Sequence, residues 1–477
     1  MEIRPTDRRV VVLGAGPAGL AAAELLSDRE VAVDVLELKG TVGGLCVTHN
    51  YKGFRFDLGG HRWFTKNPEL QRWFLELMEG ELVTVQRRSR IYFNGRYFDY
   101  PLSVPNVLKN AGLWTSFKMM LSYGTAVITD LLRRRPPANM KEMYCAQFGA
   151  QLYEMFFRRY SEKVWGRGCE LLSPDWVAQR SKGLSILTAL KDALTKQRDV
   201  VSLIEQFVYP REGYQRICVR MAEEVIKQGN QVRLSAPVRA LIFRAPHDIL
   251  VHYDSDGERR ELQATDVVST LPLSHLVAML QPPGDERIQA AARSLEFRDL
   301  ITVTVLLAKP RVSMDTWIYI QDDSILFARV HEPKNWSAAL VPDHESTSLV
   351  CECFCSYGDS IWNLSDAQLG DRVIADLADR LGFITRDQVI DTCVIRTRFA
   401  YPVYDLEYRA KLAVLYEFIA AHPGLHIVGR GGTFRYNNAD HSIEMGQRLA
   451  RRLLGEDQDP LGVNTETEYL EEIRKRP

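Results

Sequence analysis

The chain of 477 residues has no Cys-X-X-Cys pair among its eight cysteines, no apolar run of membrane-spanning length and no excess of either charge, with 60 Lys and Arg against 61 Asp and Glu. Each absence excludes something. Without paired thiols there is no zinc-ribbon or thioredoxin-like ligand set, and no metal site is expected. Cys351, Cys353 and Cys355 instead alternate along an apolar run, so one strand face takes all three into a core. A membrane span needs about 18 to 20 apolar residues in a row, so none is expected. The first apolar run belongs to a glycine motif rather than a leader, and unpaired cysteines suit a reducing compartment, so the expected location is the cytoplasm. A net charge of −1 argues against a dedicated nucleic-acid surface. What the chain does have is apolar sequence, 46% against 25% charged. That is the balance of a globular protein too long for a single core.

The most informative stretch runs from Val10 to Glu37. An apolar strand ends in Gly14-Ala15-Gly16-Pro17-Ala18-Gly19, helix-forming residues follow from Leu20, and a second β-branched run closes on Glu37. Gly14 turns the chain, Gly16 lets a pyrophosphate reach the backbone, and Gly19 lets helix and strand pack closely. The unpaired N–H groups and dipole of the helix favour an anion there. Glu37, about twenty residues beyond the first glycine, suits a ribose hydroxyl. Past Lys39, a second glycine pair occurs in Val42-Gly43-Gly44-Leu45. A simple NAD domain does not need it, whereas the longer FAD molecule threading past this loop does. Then comes Leu58-Gly59-Gly60-His61, where two glycines let a planar ring lie against backbone and His61 can sit over it. The same histidine can also serve as a hydrogen-bonded structural residue.

These three segments together resemble the FAD-binding half of the group that includes amine oxidases, protoporphyrinogen oxidase and UDP-galactopyranose mutase. Leu45 stands where the group's pattern usually carries arginine; the mutases lack that arginine too, which points toward them. The resemblance implies an α/β fold, a Rossmann-like FAD-binding domain assembled from separated segments with an inserted mixed α+β substrate domain. The cofactor domain is expected in residues 1–102, 210–275 and 409–477. A mainly helical substrate segment is expected in 103–209 and the substrate-domain sheet in 276–408. Local signals agree: Asn94-Gly95 marks a hairpin within Arg90–Pro101, and Trp114, Phe117, Met120 and Leu121 recur at helical spacing between Ser103 and Leu132. Arg133-Arg134-Arg135-Pro136 then ends the helix, its arginines suiting a solvated helix end better than a phosphate or lipid-headgroup site.

The resemblance also implies roles. Tyr160, Trp165 and Arg180 match a segment that contacts the nucleotide diphosphate sugar, and Arg329 matches a second diphosphate-binding arginine. Tyr401 and Tyr404 match a tyrosine pair near the sugar, with packing as the alternative. Val238 is expected to lay its backbone on the adenine, and Gly429 and Arg430 to lie at the flavin ring, the arginine near N5 and O4. Tyr436 is expected near the sugar. Asn438 stands where the mutases commonly have aspartate, and Asp440 or Ser442 is expected to cap the helix that carries His441 toward the flavin. The catalytic candidates are therefore His61, Arg180, Arg329 and Tyr436. His331 reads as a strand-end side chain.

The implied activity is that of a flavoenzyme whose partner is a small molecule, a nucleotide-diphosphate sugar, isomerised between pyranose and furanose through N5 of reduced flavin. The alternative is an FAD-dependent oxidoreductase that removes a hydride from an amine, alcohol or ring. It is motivated by the protoporphyrinogen-oxidase side of the resemblance and by Asn438, while Ser181–Tyr209 departs from the mutases and leaves the substrate's identity open. Only one complete glycine fingerprint is present, so an external reductant is expected for a reduced flavin, and an oligomer is compatible with the sequence.

Overall fold

The computed structural model describes residue 4 and residues 7–100, 104–132, 135–177 and 206–464. Arg180, most of the divergent segment after it and the charged tail from residue 465 lie outside the described residues.

Five short strands form a parallel sheet in the order Leu425–Ile427, Asp266–Ser269, Arg9–Leu13, Ala32–Leu36 and Gln231–Arg233. Val10 to Leu13 are all buried, as a parallel strand covered on both faces requires. One cover is the helix Pro17–Asp28, whose Ala21, Ala22 and Ala23 are fully buried. The helix Ala439–Leu453 packs on it so closely that a Cβ on Gly446 would drive into the carbonyl oxygen of Ala18. Elements from the two ends of the sequence thus form one layer. Beside this sheet lies a second, ordered Glu258–Ala264, Asp248–Ser255, Val238–Ala245 and Leu280–Gln281.

A seven-stranded sheet carries the other half of the molecule, ordered Val389–Pro402, Phe297–Leu307, Thr347–Cys355, Arg329–His331, Trp317–Ile320, Ser89–Phe93 and Arg96–Tyr100. Every residue of Thr347–Cys355 is buried, and Cys351, Cys353 and Cys355 pack with Ile301, Val303 and Val305 as the alternation implied. The Asn94-Gly95 turn has both residues at positive φ, the signature of a two-residue hairpin. That hairpin, expected with residues 1–102, hydrogen-bonds through Ser89–Phe93 to Trp317–Ile320 and so extends the seven-stranded sheet.

Over its hairpin end lie the helices Val104–Ala111 and Leu113–Leu132, parted at Gly112, and beyond them Met140–Phe148 and Arg158–Trp165. Among the described residues no helix is long and apolar enough to cross a membrane.

Candidate cofactor and substrate site

Three strands of the parallel sheet end at one place. Arg9–Leu13 runs into Gly14, Asp266–Ser269 into Thr270, and Leu425–Ile427 through Val428 into Gly429. Ligands of open α/β sheets bind at such carboxyl ends. Gly14, at φ +100°, leaves room for the Thr270 side chain, whose hydroxyl donates to the Leu13 carbonyl at 2.8 Å. The helix Pro17–Asp28 starts at Gly16 with no side chain capping its first turn. Its free N–H groups suit a pyrophosphate. Across from it, Gly43 and Gly44 have positive φ, and a Cβ on Gly44 would sit 3.2 Å from the Gly16 Cα. Leu45 lies in the short turn Gly44–Cys46 that follows. Ala18, in the first turn of the helix, limits Gly429 to glycine: a Cβ there would approach the Ala18 methyl to 2.9 Å.

Glu37 is buried at the end of the second strand and accepts from the N–H groups of Ala15 at 2.8 Å and Lys39 at 2.9 Å. Next to it, the N–H groups of Ser235 and Ala236 donate to the carbonyls of Lys39 and Glu37. Val238 opens its strand two residues beyond Ala236.

At the other end the side chains come from both halves of the molecule. Arg329 and Glu352 face each other across neighbouring strands and pair at 2.9 Å. The same nitrogen, Nη2 of Arg329, donates to the Tyr401 hydroxyl at 3.0 Å, and the guanidinium lies 4.9 Å from the Phe354 ring. Its buried Nε has no hydrogen-bond partner among the described residues. Burial pushes the Glu352 carboxyl up, opposed by Arg329 and by the Gly60 N–H. Tyr401 stacks on Tyr436 with ring centres 5.6 Å apart, and Trp165 and Trp176 close the same wall edge-on. Tyr160 stands edge-on to Tyr319 at 5.7 Å, and burial holds its hydroxyl well above the ordinary tyrosine range, hence protonated.

His61 stacks on Tyr214 at 5.1 Å, and its Nδ1 is buried without a partner among the described residues. Burial, with the nearby charges of Arg430 and Arg329, lowers it to about 3, so the imidazole is neutral. Behind it, buried Asp57 accepts from the Tyr209 hydroxyl at 2.6 Å and the Tyr214 N–H at 3.2 Å, which fixes the ring against which His61 lies. Arg430, in the turn Gly429–Gly432, donates to the carbonyls of Asn437 and Ala400 and faces the rings of Tyr401 and Tyr436 at just over 5 Å.

Of the residues expected at this end, His61, Tyr160, Trp165, Arg329, Tyr401, Arg430 and Tyr436 come together. Tyr404 is set one layer back: it stacks on Tyr408 and accepts from the Tyr436 N–H at 2.7 Å, and so positions that residue. The helix cap differs from expectation. Asn438, with extended backbone, precedes the first turn of Ala439–Leu453, and its N–H donates to His441 Nδ1; Asp440 and Ser442 lie inside the helix, buried. Asn is as good a cap as Asp, so Asn438 itself supplies the stop. Glu352, Trp176 and Tyr214 were not anticipated. Glu352 had a signal, a lone acid between the alternating cysteines, whose side chain must leave by the opposite strand face and so needs a partner when buried.

The residues present fit FAD: an uncapped helix start beside closely approaching glycine backbones at one end, and at the other buried, unpartnered nitrogens of His61 and Arg329 among stacked rings. Fold and site therefore define a dinucleotide-binding flavoprotein with a cluster of aromatic side chains beside the sheet's carboxyl end.

The profile of the flavin-containing amine oxidoreductases matches residues 17–454, and the chain belongs to that family. FAD is its cofactor. Similarity to curated relatives is low. A 15-cis-phytoene desaturase of Synechococcus elongatus is 22% identical over 57% of this chain and 59% of its own length. A dTDP-fucopyranose mutase of Escherichia coli is 24% identical over 33% of this chain and 42% of its own length. The chain thus spans less than two thirds of either relative. Among solved structures, a reduced UDP-galactopyranose mutase superposes with a TM-score of 0.81 at 20% identity, covering 96% of this chain and 97% of that one. At that identity the likeness establishes the fold.

Proposed function

We propose that this flavoenzyme acts on a nucleotide-diphosphate sugar as a mutase that interconverts its pyranose and furanose forms. The observation that carries the reading is Arg329, a half-buried guanidinium held through Nη2 by Glu352 and Tyr401, with a buried Nε left open. A charge-assisted donor of this kind suits a diphosphate oxygen. Bound and reduced, FAD would supply the nucleophile; bound and oxidised, a hydride acceptor.

The chain's own groups do the rest. Tyr160 and Tyr401, both raised by burial, stay protonated and offer neutral hydroxyl donors beside Arg329. Neutral His61 adds no positive charge next to the flavin ring, leaving Arg430 to set the local field. Trp165, Trp176 and Tyr436 wall the site from water, which strengthens each polar contact inside it. Arg180 is proposed as the second phosphate ligand from the sequence resemblance alone.

The test is turnover of UDP-galactopyranose by dithionite-reduced holoprotein, with ring-size exchange and no net consumption of electrons as the expected result. Arg329→Ala should then lower kcat/KM by about two orders of magnitude, the scale of a lost charge-assisted hydrogen bond; a near-normal rate removes Arg329 from the site. The second reading, a net oxidoreductase, is favoured by Asn438, which leaves the flavin-side helix start without an acidic cap. Stoichiometric bleaching of the oxidised flavin by an amine, alcohol or ring substrate under anaerobic conditions would establish that reading instead.

A further inference from the structure

The helix Leu113–Leu132 has three faces where a helix packed on one side needs two. Ser116 and Met119 are buried, Met119 against Ile91, Phe98 and Phe156, in a cluster that Tyr319 also touches. Lys118, Thr125 and Thr129 form an exposed polar strip. The third face is apolar and open: Trp114 is 68% exposed, Met120 67%, Leu121 61%, Ile128 59% and Leu131 81%, with Phe117 and Leu132 also exposed. At about 100° per residue these side chains and Gly124 fall within an arc of about 120°, along a helix about 30 Å long. An apolar stripe of this extent marks an interaction surface.

The sequence of this stretch is one-sided in charge, and the arginines that follow Leu132, a solvated helix end when read by themselves, gain a second reading beside an apolar stripe. Residues 104–135 contain Lys109, Lys118, Arg133, Arg134 and Arg135 against the single acid Asp130, in a chain whose net charge is −1. Arg135 pairs with Glu142 at 3.3 Å yet keeps 68% of its side chain exposed. Two such helices face to face would bring like charges together, which disfavours a second copy of this chain as the occupant. An anionic surface suits both the stripe and the charge. The helix is not apolar enough to cross a bilayer, but a basic helix with Trp, Phe and Leu on one face lies in the headgroup plane. We propose that the outward face of Leu113–Leu132 docks this protein on the surface of an anionic lipid bilayer.

The experiment is co-sedimentation of the full-length holoprotein with vesicles of phosphatidylcholine containing phosphatidylglycerol, and with vesicles of phosphatidylcholine alone. Expected is partition onto the anionic vesicles that weakens with ionic strength. The double variant L121E/I128E should lose at least about a hundredfold, since each buried aliphatic side chain contributes about tenfold. Lys118→Glu should weaken partition less. An unchanged flavin spectrum and Tm would show that both variants are folded. The proposal is overturned if the protein ignores both vesicles, if it partitions equally onto both, or if L121E/I128E binds like the parent. It is also overturned if the parent is a dimer in vesicle-free buffer that L121E/I128E converts to monomer.

Discussion

His61 and His331 share a corner with Arg329, and burial lowers both imidazoles to about 3. The unfolded chain protonates each near pH 6.5. Between those values the unfolded state binds more protons, so this contribution to stability is complete above about pH 6.5 and is lost as pH falls toward 3. For His331, only 4% exposed, the loss at pH 5 is about 2 kcal/mol. Urea titrations of the parent and His331→Gln should therefore converge by about that amount between pH 7 and pH 5; parallel curves would mean that His331 stays neutral in neither state or both. Residue by residue, the cofactor end was more legible than the substrate end. Gly14, Gly16 and Glu37 answer to local backbone demands visible in a short stretch. Glu352 acquires its role only when strands over twenty residues apart in sequence set it against Arg329. Tyr404 had the right neighbourhood, but the stacking of Tyr408 on it comes from the next helix and decides which way it faces.

At the scale of elements, the joint between Pro17–Asp28 and Ala439–Leu453 is the most exacting contact in the cofactor half. Gly446→Ala would push a methyl into the Ala18 carbonyl and pry apart two helices, one of which has the uncapped N-terminus proposed to hold the pyrophosphate. Overpacking of this kind costs about 1–3 kcal/mol. Weakened retention of FAD on gel filtration, with a lower urea midpoint, is the expected outcome, and intact retention would show that the joint is slack. The glycine-turn helix, the Asn94-Gly95 hairpin and the cysteine strand all follow from short-range patterns. The start of Ala439–Leu453 was misplaced because several capping residues crowd Asn438–Ser442, and only backbone geometry picks one. The spacing of Trp114, Phe117, Met120 and Leu121 correctly predicts a helix, yet periodicity cannot tell which stripe meets the protein.

For the whole molecule, the first strand, the strand near residue 267 and the last one end together at the proposed cofactor cleft, so a ligand there would tether segments from across the chain. FAD binding only to the folded state adds about 2.7 kcal/mol at a free concentration one hundred times its Kd. The apoprotein should accordingly show a Tm that rises with added FAD and not with riboflavin, which lacks the pyrophosphate; equal shifts would argue against the glycine cradle as the anchor. The strand order has a consequence for biosynthesis. Arg9–Leu13 lies at the centre of its sheet, yet one neighbour, Asp266–Ser269, and the outer strand Leu425–Ile427 emerge from the ribosome hundreds of residues later. Until then the first βαβ unit has bare edges and no lid over its helix, an invitation to mispairing. A nascent chain exposes these edges until residue 427 has emerged, and only then can the three strand ends that flank the proposed cofactor cleft come together.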